Sequence, residues 1–282
     1  MRYCTGVSSI HISAQNAEFQ IIQALKTNRN KRAKLHEIFV EGTESIKQAI
    51  AARLAFTRII YHDHEGLSDW AKGVLEQYPQ ASHINMSKDL YRLLSEREEL
   101  SELIITIDMP SRRLADIELP HKPFVVIFDR PSDTGNFGSL LRSANSFGVD
   151  AVLVVGHSID VYDPKVIRSS LGAIFHTTVV PVDSMAELEA WVQDQKKRNG
   201  LSLMGSDSTG DKSLLSYRLQ KPIALVLGNE AKGMSVALKN LCDSIASIPL
   251  VGEVNSLNVS CAASIFLWDI YRNSLDTEQA VP

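Results

Sequence analysis

The hydrophobic positions set out two regular regions. From Glu18 onward, Phe19, Ile21, Ile22 and Leu25 recur at helical spacing, and a basic stretch follows. Short apolar runs at 38–40, 58–61, 82–86 and 103–107 predict strands, and segments 43–54, 67–77 and 87–95 predict helices between them. Strands alternating with helices imply a small α/β unit. Residues 1–16 are polar, Ser-rich and without period, which predicts a loose extension.

Pro110, Pro120 and Pro123 bracket a polar stretch that reads as a linker. Beyond it, apolar runs at 124–129, 151–155, 177–181, 201–205, 223–227 and 245–248 alternate with helical segments at 138–147, 164–171, 184–197, after Ser235, and at 256–272. Continuous apolar strands joined by helices predict a mostly parallel sheet covered on both faces. The fold class is therefore α/β. The expected division is an extension at 1–16, a small domain at 17–109, a linker at 110–122 and a larger domain at 123–282.

Composition adds little to this until it is mapped onto the chain. The 282 residues carry a formal net charge of −4, with 44% hydrophobic and 22% charged side chains, which is ordinary globular usage. Residues 1–112 balance 14 basic against 14 acidic side chains, whereas 113–282 carry 15 against 19. Within the neutral part, Lys26, Arg29, Lys31, Arg32 and Lys34 form an acid-free cluster, the one concentrated basic patch. Cys4, Cys242 and Cys261 are widely spaced with no CxxC, which argues against a disulfide framework or a zinc cluster. The longest apolar runs are far below the ~18 residues that span a bilayer. With no charged-then-apolar leader at its start, the chain is expected to be cytoplasmic.

Three loops carry groups suited to chemistry. The first, 133–144, has Gly135 and Gly138 for a tight turn, Asn136 as a hydrogen-bonding group and Arg142 one helical turn beyond. The second, 225–235, runs from an apolar strand through Gly228, Asn229, Glu230, Ala231, Lys232 and Gly233 to Ser235, a candidate cap. The third, 248–258, passes from Ile248 and Pro249 to Ser256, Leu257 and Asn258 at the start of a long apolar helix. Apolar on most faces, that helix is expected to be buried in a sheet or a subunit interface, with Cys261 inert inside it. Each loop alone also fits a capped strand-to-helix turn, and neither GxGxxG nor GxxxxGK[ST] occurs. His62, Asp63, His64 and Glu65 read as a polar turn, because neighbours on a strand end point to opposite faces. No metal is expected.

In their order and spacing the three loops resemble the motifs of the SpoU/TrmH group of SPOUT RNA methyltransferases, over about 124–273. Arg168 through Ala173 is similar to that group's segment after the second strand. The first domain, with Asn28 through Arg32 and then Phe39-Val40-Glu41-Gly42, is similar to the ribosomal-protein-like substrate-binding domain often fused to it. Thr134 stands where the group usually has Pro, and Ala231 where Gly is common. The resemblance implies methyl transfer from S-adenosylmethionine to a ribose 2′-hydroxyl of RNA, with rRNA ahead of tRNA. It also implies a sheet threaded into a deep trefoil knot and a homodimer formed through the catalytic domain. By the same resemblance Gly228, Ile248 and Leu257 contact the cofactor. Arg142 stabilises the developing alkoxide and the adjacent phosphate, since a guanidinium stays charged. Asn136, Glu230, Ser256 and Asn258 orient the ribose and the loops, and Arg29, Lys31 and Arg32 contact RNA phosphates. The rival readings are an RNA-binding protein that keeps the fold without turnover, and a phosphate-using α/β enzyme, for which the glycine fingerprint is missing.

Overall fold

A computed structural model describes residues 9–278 apart from 96 and 211. They divide into two compact units. One comprises the described residues up to Pro110 together with Tyr162–Gly172, and the other Ser111–Val161 and the chain from Ala173.

The first unit contains β1 (Ser9–Ile12), α1 (Ala17–Thr27), α2 (Arg29–Leu35), β2 (Glu37–Glu41), α3 (Thr43–Ala51), β3 (Phe56–Tyr61), α4 (Asp69–Gln77), β4 (Ser82–Met86), α5 (Lys88–Leu94) and β5 (Ile104–Asp108). Its strands order as β1-β4-β3-β5-β2. β1, β4 and β3 run parallel, while β5 is antiparallel to both of its neighbours. Phe19, Ile22 and Leu25, spaced along one face of α1, bury against Phe39, Ile60, Ile84 and Ile104. The expected loose extension at 1–16 is corrected for residues 9–16, and its first eight residues lie outside the described ones. Ile12 is buried in this core, residues 9–12 form an edge strand on β4, and Asn16 caps α1 by accepting from the Phe19 N–H. Cys4 lies outside the described residues.

The basic stretch becomes helix α2, and its side chains divide. Asn28 caps it, accepting from the Lys31 N–H at 3.1 Å. Arg29 and Lys34 are exposed and Lys31 half-buried, but Arg32 is 2% exposed. Its guanidinium donates to the carbonyls of Leu25 at 2.7 Å and Lys26 at 3.1 Å, which the end of α1 leaves without helical partners. It also pairs with Asp163 at 3.7 Å. The expectation that Arg32 contacts phosphate is therefore corrected: one position in this short helix faces the core, and there the charge fastens α1 to α2. Asp163 caps α7 (Pro164–Ser169), accepting from the Lys165 N–H at 2.9 Å, and α7 packs on β2 within this unit.

The second unit has β6 (Phe124–Asp129), α6 (Thr134–Ser146), β7 (Ala151–Val155), β8 (Thr178–Val182), α8 (Met185–Asn199), β9 (Ser202–Ser206), β10 (Lys212–Ser213), β11 (Ile223–Leu227), α9 (Val236–Leu241), β12 (Ser244–Ser247) and α10 (Val259–Glu278). All seven strands are parallel, in the order β10-β12-β9-β11-β6-β7-β8. β6, β7 and β11 are buried along their whole length, which their unbroken apolar sequences anticipate. In this register Phe128, Leu227 and Ser206 lie side by side, so the loops leaving β6, β11 and β9 emerge together at the carboxyl edge. That edge is where open parallel sheets form their sites.

Two helix starts differ from expectation. Asp133 accepts from the Asn136 N–H at 2.7 Å, so α6 begins at Thr134 and holds Gly135 and Gly138, which were expected in a turn. Asn258 accepts from the Ser260 N–H and hydroxyl, which starts α10 at Val259. α10 buries Ala263, Phe266, Leu267 and Ile270 and packs on α6. Its opposite face is exposed, and Cys261, expected to be buried, lies there. Cys242 is half-buried, and burial pushes its thiol up to about 12.

Arg32→Ala should cost about 3 kcal/mol, because it leaves Asp163 and two helix-end carbonyls without their partner. Lys34→Ala should change stability by less than ~0.5 kcal/mol. Urea unfolding followed by far-UV circular dichroism measures both, and equal small losses would contradict a structural Arg32.

Candidate active site

The site is built at the carboxyl edge of the seven-stranded sheet, where an acid closes the apolar strand β6. Asp129, last residue of β6, is 2% exposed. Its carboxylate accepts from Arg130 Nε and Nη2, each at 2.8 Å, and from the Ser235 N–H at 2.6 Å. Asp129 raises the pKa of Arg130, whose Nη2 also donates to the Gly233 carbonyl at 3.2 Å. One buried carboxylate thus fixes the exits of both β6 and β11.

Between those exits Glu230 acts as a clasp. Its carboxylate accepts from the Ser132 N–H and hydroxyl and from the Asp133 N–H, over 2.7–3.4 Å. Asn229 donates to the Arg130 carbonyl at 2.7 Å, and its side-chain oxygen accepts from the N–H groups of Ala231 and Lys232. The second loop therefore has its tip tied to itself and its flank tied to the first. Gly228 is required by close approach: a Cβ there would lie 2.4 Å from the Met234 nitrogen and 2.5 Å from the Gly233 carbonyl carbon. Gly233, at φ +66°, takes the left-handed turn that lets the loop fold back.

The third loop reaches the first through one bond, from Asn258 Nδ2 to Asn136 Oδ1 at 2.7 Å. Each asparagine is also part of a helix start, since Asn258 caps α10 and the Asn136 N–H receives the cap of α6. The Asn258 side chain is thereby held at both ends, its oxygen on the α10 start and its nitrogen on Asn136.

The second and third loops, with the start of the loop after β9, enclose a cleft of about 280 Å³. Gly228, Glu230, Ile248, Ser256 and Leu257 all line it, so five of the eight catalytic and cofactor residues expected from the sequence share one cavity. Leu227, Ile248, Leu250, Leu257 and Ala262 supply an apolar surface, and Ser206, Asp207 and Asn255 supply polar groups. An apolar slot with a few fixed polar groups suits an aromatic ring carrying a polar tail. Asn136 is joined to the rim through Asn258.

Arg142 lies apart from that cavity. It is exposed on α6 and lines a second depression, of about 390 Å³, with Ser139, Phe147, Ser260 and Cys261. Arg29, Lys31 and Arg32 belong to the other unit. Sequence reasoning missed Asp129, Arg130, Ser132 and Asp207. An acid at the end of an unbroken apolar strand was the available signal for Asp129, whereas Ser132 and Asp207 depend on contacts between distant segments. Among the described residues no group of three or more His, Cys, Asp or Glu side chains is arranged to hold a metal ion, and no helix is long and apolar enough to cross a membrane.

The chain is similar to known RNA methyltransferases in both of its parts. Residues 123–268 match the SpoU rRNA Methylase family, and residues 16–105 match the SpoU L30e-like domain. A 23S rRNA (uridine(2479)-2′-O)-methyltransferase from Streptomyces viridochromogenes is 36% identical over 95% of this chain and 94% of its own. The 23S rRNA (guanosine(2553)-2′-O)-methyltransferase RlmP of Bacillus subtilis is 26% identical over 92% and 97%. The crystal structure of the SpoU methyltransferase AviRb from S. viridochromogenes, in complex with the cofactor AdoMet, superposes with a TM-score of 0.86 at 36% identity, covering 92% of this chain and 98% of that one. With both parts of the chain matched and these relatives aligned along nearly its full length, the protein belongs to the SpoU rRNA methylase family.

Proposed function

We propose that the protein is an S-adenosylmethionine-dependent RNA 2′-O-ribose methyltransferase acting on ribosomal RNA in the cytoplasm. The observation that carries this reading is that residues 228, 230, 248, 256 and 257, from loops far apart in sequence, line one cavity. Both 23S rRNA relatives and the AdoMet complex of AviRb support it.

The cleft suits that cofactor, because its apolar wall accommodates an adenine ring and its serine, asparagine and main-chain groups suit the ribose and amino-acid ends. Gly228, Ile248 and Leu257 are assigned to hold it. S-adenosylmethionine, when bound, supplies an electrophilic methyl group on a sulfonium. The protein's part is to hold a ribose 2′-hydroxyl in line and to stabilise the oxygen as its proton leaves. That second role is assigned to Arg142, whose permanent charge stabilises the forming alkoxide and the neighbouring phosphate. Glu230 and the Asn136–Asn258 pair hold the loops in register, and Ser256 orients the ribose.

A homodimer is part of the same reading. Cys261, Ile265, Trp268, Arg272 and Leu275 form a mainly apolar exposed stripe along α10, with Ile265 40% and Trp268 51% exposed. Single exposed apolar residues are ordinary, but a stripe at helical spacing matches a face that a second copy covers. Arg142 lies in the depression beside Cys261, at the margin of this face. The deep trefoil knot is also assigned to this unit; in its support, β12 sits near one end of the sheet while the α10 that follows returns to pack on α6. Substrate binding falls to 17–109, joined through 110–122 to catalysis in 123–282. Arg29 and Lys31 remain the phosphate-binding side chains.

Arg142→Ala should lower methyl transfer to rRNA by about 10²-fold or more, the scale of one transition-state donor, with the circular dichroism spectrum unchanged. Transfer at the wild-type rate would remove Arg142 from the mechanism, and binding of RNA with no transfer by the wild type would favour the non-catalytic reading. Neutralising Arg29 and Lys31 should weaken RNA binding and reduce its log–log salt slope by roughly 0.7–0.9 for each phosphate the protein no longer neutralises, measured by filter binding. Trp268→Glu should shift the sedimentation coefficient from dimer to monomer; an unaltered dimer would place the interface elsewhere.

A further inference from the structure

The cavity has a second acidic clasp besides Glu230. Asp207 follows β9 and lines the cleft with its neighbours Ser206 and Ser208. One carboxylate oxygen accepts from the Thr209 N–H at 3.0 Å and hydroxyl at 2.8 Å, and the other pairs with Lys239 Nζ at 2.7 Å. The Asp207 side chain is 14% exposed and that of Lys239 40%. Although burial alone would raise its pKa, Lys239 and Thr209 hold Asp207 below the usual carboxylate range.

This pair joins three parts of the cavity wall. The Asp207 N–H donates to the Ala246 carbonyl at 3.1 Å, and its carbonyl accepts from the Gly210 N–H at 3.1 Å. Gly210 is pressed against β12 so closely that a Cβ would lie 2.7 Å from the Ala246 carbonyl carbon. β12 continues into Ile248 on the cavity wall. Lys239 belongs to α9, which is capped by Ser235, the residue held by Asp129. The 228–235 loop is thus anchored by Asp129 at its end, and the helix that follows it by Asp207.

We infer that Asp207 and Lys239 form a positioning clasp that pre-organises the cavity for its nucleoside cofactor, with the carboxylate acting on the wall rather than on the reacting atoms. The inference rests on the cofactor reading above. A clasp that orders the wall before binding removes an ordering cost from each binding event, so its loss appears in affinity. The loss is shared, because either partner's removal breaks the same link.

Titration calorimetry of the full-length protein with S-adenosylmethionine, without RNA, tests this. Asp207→Asn and Lys239→Met should each raise Kd about three- to fivefold, the scale of a partly exposed ion pair. The double variant should be no weaker than either single one, and Lys239→Arg should restore affinity. In methyl transfer the loss should fall on KM for the methyl donor more than on kcat. Unchanged Kd in both single variants with a wild type that binds would overturn the clasp alone, as would losses that simply add in the double variant. A wild type that does not bind would overturn the cofactor reading and the clasp with it.

Discussion

A carboxylate buried at the end of an apolar strand has to be satisfied, and Asp129 does so by drawing the two principal loops of the site together. Leaving such a charge without partners costs several kcal/mol, so Arg130 and the Ser235 N–H are obligatory neighbours. Because Ser235 caps α9 and Arg130 reaches the Gly233 carbonyl, that requirement shapes the whole 228–235 loop. The apolar strands beneath it make the anchor rigid: β6 and β11 are buried along their length and paired from Phe124 to Phe128 against Ile223 to Leu227.

On this anchor, the site is organised by carboxylates and amides acting on main chain. Glu230 binds the N–H groups of 132 and 133, Asn229 closes its own loop, and the Asn136–Asn258 bond joins two helix starts. Glycine is needed where chains meet, since no side chain fits between residue 228 and the 233–234 backbone. The cavity is thus defined mainly by backbone position. That explains why Thr134 and Ala231, the two departures from the usual pattern, are tolerated: Thr134 takes helical geometry behind the Asp133 cap, and Ala231 is one of the residues whose N–H is held by Asn229.

The two units divide the electrostatics. The acidic surplus lies in the part that holds the cavity, where carboxylates pair with amides and with Lys239 or Arg130. The acid-free cluster lies on α1 and α2 of the other unit. Arg32 marks the limit of reading such a cluster from sequence. In a seven-residue helix some side chains must face the core, and the one that does fastens the end of α1.

Most elements were legible because their patterns are strong and local. The strands at 124–129, 151–155 and 223–227 are unbroken apolar runs, and the three loops carry glycines and caps at spacings a family resemblance can use. β1 was not legible, because four residues with a single buried side chain have no period of their own and become a strand only by pairing with β4. The start of α6 was missed because a side-chain cap, rather than hydrophobic spacing, sets it. Which face of α10 packs on α6 was not legible, because an apolar sequence does not say which of its faces its own chain covers. The sequence by itself determined the residue types of the site and the order of its three loops, since glycine freedom, caps and apolar strands are local properties. Only the tertiary structure decided that Asp129, Glu230 and Asp207 serve as clasps, that Arg32 is internal, and that Arg142 stands outside the cavity, because each depends on which distant backbone atoms the sheet brings within hydrogen-bonding distance.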